Sequence, residues 1–295
     1  MWLYYLYRFI TWLAPFVPPR FGYWLCERVG DLLYLVARGT RANVAENQRQ
    51  VLGPEATEEQ VARNTRLVLR NLVKNYFDQF RLWKLSREDL LGLAELEGLE
   101  YLDEALSHGK GVVLLTAHYG SPELVGQSLA VRGYDITAVV EHIQPEPLFQ
   151  HMCRLRASHG VKLIPSDKPL LGILRTLRKG GIVGLVGDRD TTESGICMTF
   201  FGKEARMPDG GVQLALRTGA PLLVAYSYRL PNNRFRAVGR PPLYLERSDD
   251  FDADVRAGLE RVLREMEAFI RQAPEQWVMT VPLWRTCPPA EEEGA

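Results

Sequence analysis

The chain has 295 residues, enough for one α/β domain with a helical extension and a full core. An apolar fraction of 46% with 24% charged residues excludes a disordered or collagen-like chain, and a formal net charge of zero leaves no electrostatic footprint for nucleic acid. The charge is unevenly spread, however: residues 1–50 carry six Arg against three acids and residues 241–295 six Arg against twelve acids, so the N-terminal end suits an anionic membrane surface.

Residues 1–90 read as helices. The opening run MWLYYLYRFITWLAPFV is apolar but holds Arg8 and Pro15, and it is shorter than the about 20 residues a bilayer span needs. Its Trp and Tyr are residues that seek the membrane interface, so the expectation is a helix lying in that interface. The plain alternative is a core helix packed on the protein's own body. Pro15, Pro18 and Pro19 break it from a second helix near 20–37, and Thr57 with Gln60 caps a third near 57–85.

From residue 93 short apolar runs alternate with helical stretches. Strands are expected at 112–116, 136–140, 161–164, 182–186 and 221–228. Helices are expected near 121–132, 146–159, 168–179, 208–218 and 252–272. Fully apolar strands separated by helices predict an α/β fold with a mainly parallel central sheet flanked by helices. The expected division is a helical, membrane-associating extension at 1–90, an α/β domain at 91–285 and a disordered tail at 286–295. Cysteines 26, 153, 197 and 287 form no CxxC pair, which favours reduced thiols and the cytosolic side of a membrane.

Ligands in such folds bind beyond the carboxyl ends of the strands. After VVLLT comes Ala117-His118-Tyr119-Gly120-Ser121-Pro122-Glu123. Gly120 permits a turn, Ser121 suits an N-cap and Pro122 the first helical position. Across that turn Glu123 can fold back on the imidazole of His118, orient it and stabilise its charged form, while His118 takes a proton from a hydroxyl. The competing reading of Glu123 is a first-turn acid that favours the helix dipole, worth roughly 0.3–1 kcal/mol. Glu141 and His142 follow the next strand, and Gly187-Asp188-Arg189-Asp190 follows IVGLV, where an internal ion-pair network is the alternative to a site. Arg156, Gly160 and Ile164 form R-x3-G-x3-I, in which Arg156 can bind a phosphate or simply make a surface ion pair.

These ordered motifs, with FFG, ARMP, LALRTGAPLL and PEQW further on, resemble the lysophospholipid acyltransferase superfamily, in the branch of bacterial lipid A late acyltransferases and phosphatidylinositol mannoside acyltransferases. The likeness covers nearly the whole chain. It implies an acyl-CoA or acyl-carrier-protein donor, a glycolipid acceptor, no metal and no other cofactor. It puts the H-x4-E pair on His118 and Glu123. It assigns substrate contacts to Glu141, Arg156, Asp188, Arg189 and Asp190, with Glu193 near the same loop. VVEHIQPEPLF and DRD are closer to the mannoside branch. Ser121-Pro122 stands where many relatives have Asn-Trp, which changes the wall of the acceptor pocket.

Other motifs carry less. GQSLA at 126–130 nearly matches a nucleophile elbow but falls inside a helix. GGIVGLVG at 180–187 lies within a strand with no phosphate loop after it. His142, His151 and His159 lack zinc spacing. Arg63, Arg66, Arg70 and Lys74 form a charged helix stripe, a solvated face or a contact for lipid headgroups or an acidic carrier. The expectation is therefore a monomeric, peripheral O-acyltransferase on the cytoplasmic face of the inner membrane. Its rivals are a thioester hydrolase on the same scaffold and a non-catalytic membrane-binding protein.

Overall fold

The computed structural model describes residues 1–167, 171–285 and 287. Four helices lead: α1 (Trp2–Leu13), α2 (Pro19–Val36), α3 (Arg38–Leu52) and α4 (Glu58–Arg81). α4 starts at the expected cap. Thr57 Oγ1 accepts from the Gln60 N–H at 3.2 Å, and Gln60 Oε1 accepts from the Thr57 N–H at 2.8 Å, a closed capping box. α3 has no counterpart among the expected helices, because its buried face is half polar: Asn47 and Gln48 are buried beside Val44 and Val51.

The alternation then follows: α5 (Arg87–Leu93), β1 (Ala94–Glu97), α6 (Leu99–Ser107), β2 (Val112–Thr116), α7 (Pro122–Val131), β3 (Ile136–Val140), α8 (Glu146–Arg156), β4 (Lys162–Pro165), α9 (Leu171–Arg178) and β5 (Ile182–Val186). A hairpin of β6 (Ile196–Phe200) and β7 (Lys203–Met207) comes next, then α10 (Gly210–Thr218), β8 (Leu222–Arg229), β9 (Phe235–Gly239) and α11 (Phe251–Ile270). The expected start of a helix at 168–170 lies outside the described residues.

Seven strands form one sheet in the order β1-β9-β8-β2-β5-β3-β4. The five strands from β8 to β4 run parallel. β9 is antiparallel to β8 and parallel to β1, so the last two strands at that edge are reversed. The inner strands are apolar on both sides because both sheet faces are covered. Val212, Leu259, Val262 and Met266 of α10 and α11 pack on one face with Val113 and Val183. Leu102, Ala105 and Leu129 of α6 and α7 pack on the other with Val112, Ile136 and Ile182.

The N-terminal helices are tied to the far end of the chain. Asn47 Nδ2 donates to the carbonyls of Met279 (3.0 Å) and Val281 (2.8 Å), Gln48 Nε2 to Pro274 (2.9 Å) and Asn71 Nδ2 to Glu275 (2.9 Å). Cys197 and Cys287 are joined in a disulfide, which corrects the expectation of four thiols; Cys26 and Cys153 are free. The packing of α11 on β6 brings the C-terminal segment past Cys197, with the two Cα atoms 5.9 Å apart, inside the ordinary range for a bridge. The expected tail at 286–295 lies outside the described residues apart from Cys287.

Candidate active site

β2 and β5 are neighbours, with Thr116 opposite Val186. Two residues past each of these stand His118 and Asp188, so the sheet register itself sets them side by side. Asp188 Oδ1 accepts from His118 Nδ1 at 2.8 Å. Its Oδ2 accepts from the His118 backbone N–H at 2.8 Å and from Trp277 Nε1–H at 2.8 Å. Asp188 is fully buried, whereas 44% of the His118 side chain is exposed. A carboxylate oxygen facing Nδ1 holds the proton on that nitrogen, which leaves Nε2, without a proton in the neutral ring, for the cleft.

The electrostatics agree with this geometry. Burial works against a charged imidazole, yet the Asp188 carboxylate outweighs it, and His118 titrates above its ordinary value. Glu123 adds a weaker push in the same direction. Burial likewise pushes the Asp188 carboxyl up, but His118 and the indole and backbone N–H donors pull it below the ordinary carboxylate value.

The carboxylate on the ring is therefore Asp188 and not Glu123. Glu123 binds Arg156 instead, Nη2 to Oε1 at 3.0 Å, because α7 starts by carrying Glu123 towards the end of α8. Arg156, expected to contact a phosphate, is thus paired, although its Nε is buried without an acceptor. Asp188, expected at the substrate, has no exposed surface with which to touch one. Arg189 and Glu141 pair with each other at 3.1 and 3.2 Å on the cleft wall. Asp190 binds its own loop through Thr192 N–H, Thr192 Oγ1 and Gly195 N–H. Glu193 sits on the exposed part of that loop at a positive φ of 58°.

The loop that carries His118 is held from three sides. Gly120 has φ 63°, and a Cβ there would meet the Ser227 carbonyl oxygen at 2.0 Å, so only glycine fits. Asn75 Nδ2 of α4 donates to the Gly120 carbonyl at 2.6 Å. The Val278 N–H donates to the His118 carbonyl at 2.8 Å. Ser121 stands at the N-cap, but its side chain makes no cap bond; its N–H donates to Ser227 Oγ at 3.1 Å. Behind the loop a buried pair, Arg229 and Asp78 at 2.6 Å, also takes the Tyr23 hydroxyl (2.5 Å) and Asn75 Oδ1 (2.8 Å). Asn75, Ser227 and Trp277 escaped sequence reasoning. Trp277 had only its place in PEQW as a signal, and the other two had none.

His118 opens on a cleft of about 570 Å³ lined also by Tyr7, Tyr76, Glu123, Glu141, Arg156 and Arg189. Adjoining it, an apolar cavity of about 130 Å³ lies between α7 and the sheet. The residues they share include Pro122, Glu123, Val140, Arg156 and Val186, so the Glu123–Arg156 pair sits where they meet. α1 borders the cleft. Leu3, Tyr4, Tyr7 and Ile10 pack towards Phe80, Leu148 and Met152, while Trp2, Tyr5, Phe9 and Trp12 are exposed. Among the described residues no helix is long and apolar enough to cross a membrane.

A histidine held by a buried carboxylate stands at the carboxyl edge of a parallel sheet, beside a cleft with an apolar annex, a place where such folds bind ligands. The sequence profile of bacterial lipid A biosynthesis acyltransferases matches residues 1–286, and the chain belongs to that family. It is 29% identical to a phosphatidylinositol mannoside acyltransferase of Mycobacterium tuberculosis over 259 residues, 85% of this chain and 79% of the relative. A protein of the same name from Mycolicibacterium smegmatis is 28% identical over 74% of this chain and 71% of its own length. A lipid A biosynthesis acyltransferase of Haemophilus influenzae is 25% identical over 97% of this chain and 88% of its own.

Proposed function

We propose that the protein transfers a fatty acyl chain from acyl-CoA or acyl-carrier protein to a hydroxyl of a membrane glycolipid, with His118 as general base. The observation that carries this is the His118 ring, bound through Nδ1 to buried Asp188 with Nε2 left for the cleft. Nε2 takes the acceptor hydroxyl proton as the oxygen bonds to the thioester carbonyl carbon. The tetrahedral intermediate then collapses, the carbon–sulfur bond breaks, and the leaving thiolate recovers the proton from the imidazolium. Asp188 acts as a positioning residue that fixes the tautomer and stabilises the imidazolium. Glu123 supports the same charge from the cleft wall, and Arg156 holds Glu123.

Oxyanion stabilisation falls to the first turn of α7. Pro122 has no N–H and that of Ser121 is taken by Ser227, so the N–H groups of Glu123 and Leu124 are the donors. The apolar cavity suits the acyl chain. Packing forgone over about 130 Å³ is worth on the order of 3 kcal/mol at roughly 24 cal/mol per Å³, which a hydrocarbon ligand restores. The exposed aromatics of α1 next to the cleft favour peripheral binding at the inner-membrane surface, which delivers a lipid acceptor to His118. The mannoside-type relatives favour a mannosylated phosphatidylinositol over lipid A.

Thioester turnover by wild type and His118→Ala, with and without a phosphatidylinositol mannoside acceptor, tests the reading. Acceptor-dependent ester formation that His118→Ala abolishes is expected. Near wild-type transfer by His118→Ala refutes it, and fatty acid release unaffected by acceptor identifies a hydrolase instead.

A further inference from the structure

Two glycines border the apolar cavity from opposite sides, Gly126 on α7 and Gly184 on β5. Neither has the positive φ that would demand glycine. Neither is there for close packing. A Cβ at Gly126 would meet nothing nearer than 4.0 Å, and one at Gly184 nothing nearer than 3.9 Å, ordinary van der Waals contact. Gly120 and Gly211 differ in this respect, since a Cβ at either would strike a neighbour at under 3 Å. Glycine inside a helix or strand weakens that element relative to alanine. What these two positions gain in return is space.

That space has a direction. Both absent Cβ atoms would approach the same atom, Ile136 Cδ1. Along the sheet, Gly184 lies opposite Leu114 on one side and Ala138 on the other, one row deeper than Thr116 and Val186 beside the His118 loop. Beyond the glycines the cavity ends on Leu129, Ile136 and Val161, which belong to the solid core. A chain entering past Glu123 and Arg156 therefore has to pass between Gly126 and Gly184 before it meets the floor.

We infer that Gly126 and Gly184 set the length of acyl chain the enzyme accepts, by keeping the deep end of the cavity between α7 and β5 open. The inference rests on the acyltransferase reading above. A side chain at either position shortens the cavity without touching the His118–Asp188 pair, so short chains remain substrates and long chains do not.

The test uses the full chain with lauroyl-, myristoyl-, palmitoyl- and stearoyl-CoA and phosphatidylinositol mannoside in mixed vesicles. Gly126→Leu and Gly184→Val are compared with wild type, with thermal melting as the folding check. The expected result is a palmitoyl-to-lauroyl ratio of kcat/KM lowered by roughly tenfold or more, with lauroyl transfer retained. An unchanged chain-length profile, or an equal loss at every length in a folded variant, overturns the inference. If both larger variants fail to fold, Gly126→Ala replaces them; it adds one methyl in ordinary contact, and a shift towards shorter chains is still required of it. Calorimetric titration with laurate and palmitate reads the cavity without turnover. No turnover by wild type, with palmitate affinity lost selectively in Gly126→Leu, rejects the transferase reading and keeps the cavity assignment. Turnover with a wild-type profile in Gly126→Leu rejects the cavity assignment alone.

Discussion

Asp188→Asn separates a positioning carboxylate from a filler of space. Oδ2 of Asp188 faces two N–H donors, the His118 backbone and the Trp277 indole, whereas Oδ1 faces the His118 ring. In the asparagine variant the amide oxygen stays with the two donors, and the NH2 group is turned to Nδ1. The ring must then accept at Nδ1 and carry its proton on Nε2, the nitrogen that the proposed mechanism requires as a base. Flipping the amide to restore the tautomer leaves two buried N–H groups facing an NH2, at about 1–3 kcal/mol each. The cost of about 2–6 kcal/mol corresponds to a rate loss of roughly 30-fold to 10⁴-fold. The pH profile distinguishes this from misfolding. The base must be neutral, so kcat/KM falls as pH drops below the His118 pKa, which Asp188 holds above the ordinary imidazole value. Without that carboxylate burial dominates, the pKa falls, and the acid limb moves to lower pH while the plateau drops. Acyl transfer measured from acid to alkaline pH checks both effects. A variant within threefold of the wild-type rate, or one whose limb stays in place, would refute the assignment.

Two further predictions concern the frame around the site. Asp78→Ala leaves the Arg229 guanidinium buried without its carboxylate and should cost about 3–5 kcal/mol, read as a melting temperature lowered by several degrees. An unchanged melting temperature argues that the pair is dispensable. Trp2 and Trp12 are 75% and 60% exposed, so replacing both with serine should leave folding intact. Binding to anionic vesicles should fall on the order of a hundredfold, at about 1.5 kcal/mol per large side chain kept in water; equal partitioning contradicts an interfacial α1.

The strands were legible because most are short apolar runs with both sheet faces covered, and all five expected runs appear within a residue of their expected ends. The elements that were missed lack such a signal. β1 (AELE) is short and half polar, β9 (FRAVG) is short and interrupted by Arg236, and their reversed direction at one sheet edge is a tertiary choice. α3 hides its burial in Asn47 and Gln48, whose partners lie more than two hundred residues away in sequence. His118 was legible by its place after β2. Its carboxylate partner was not, because Glu123 is close in sequence while Asp188 is close only once Thr116 and Val186 come into register. Local spacing therefore pointed to the wrong acid for the ring.

Trp277, which donates to Asp188, sits on a segment that α3 and α4 hold by their side chains. Residues of α3 and α4 and the segment around Pro274–Trp277 thus meet beneath the His118 ring. During synthesis the strands bearing His118 and Asp188 leave the ribosome well before residue 277 does. A nascent chain halted short of that point has His118 and Asp188 but lacks the indole that donates to the carboxylate. Full order around His118 should therefore arrive late, after the N-terminal helices have already emerged.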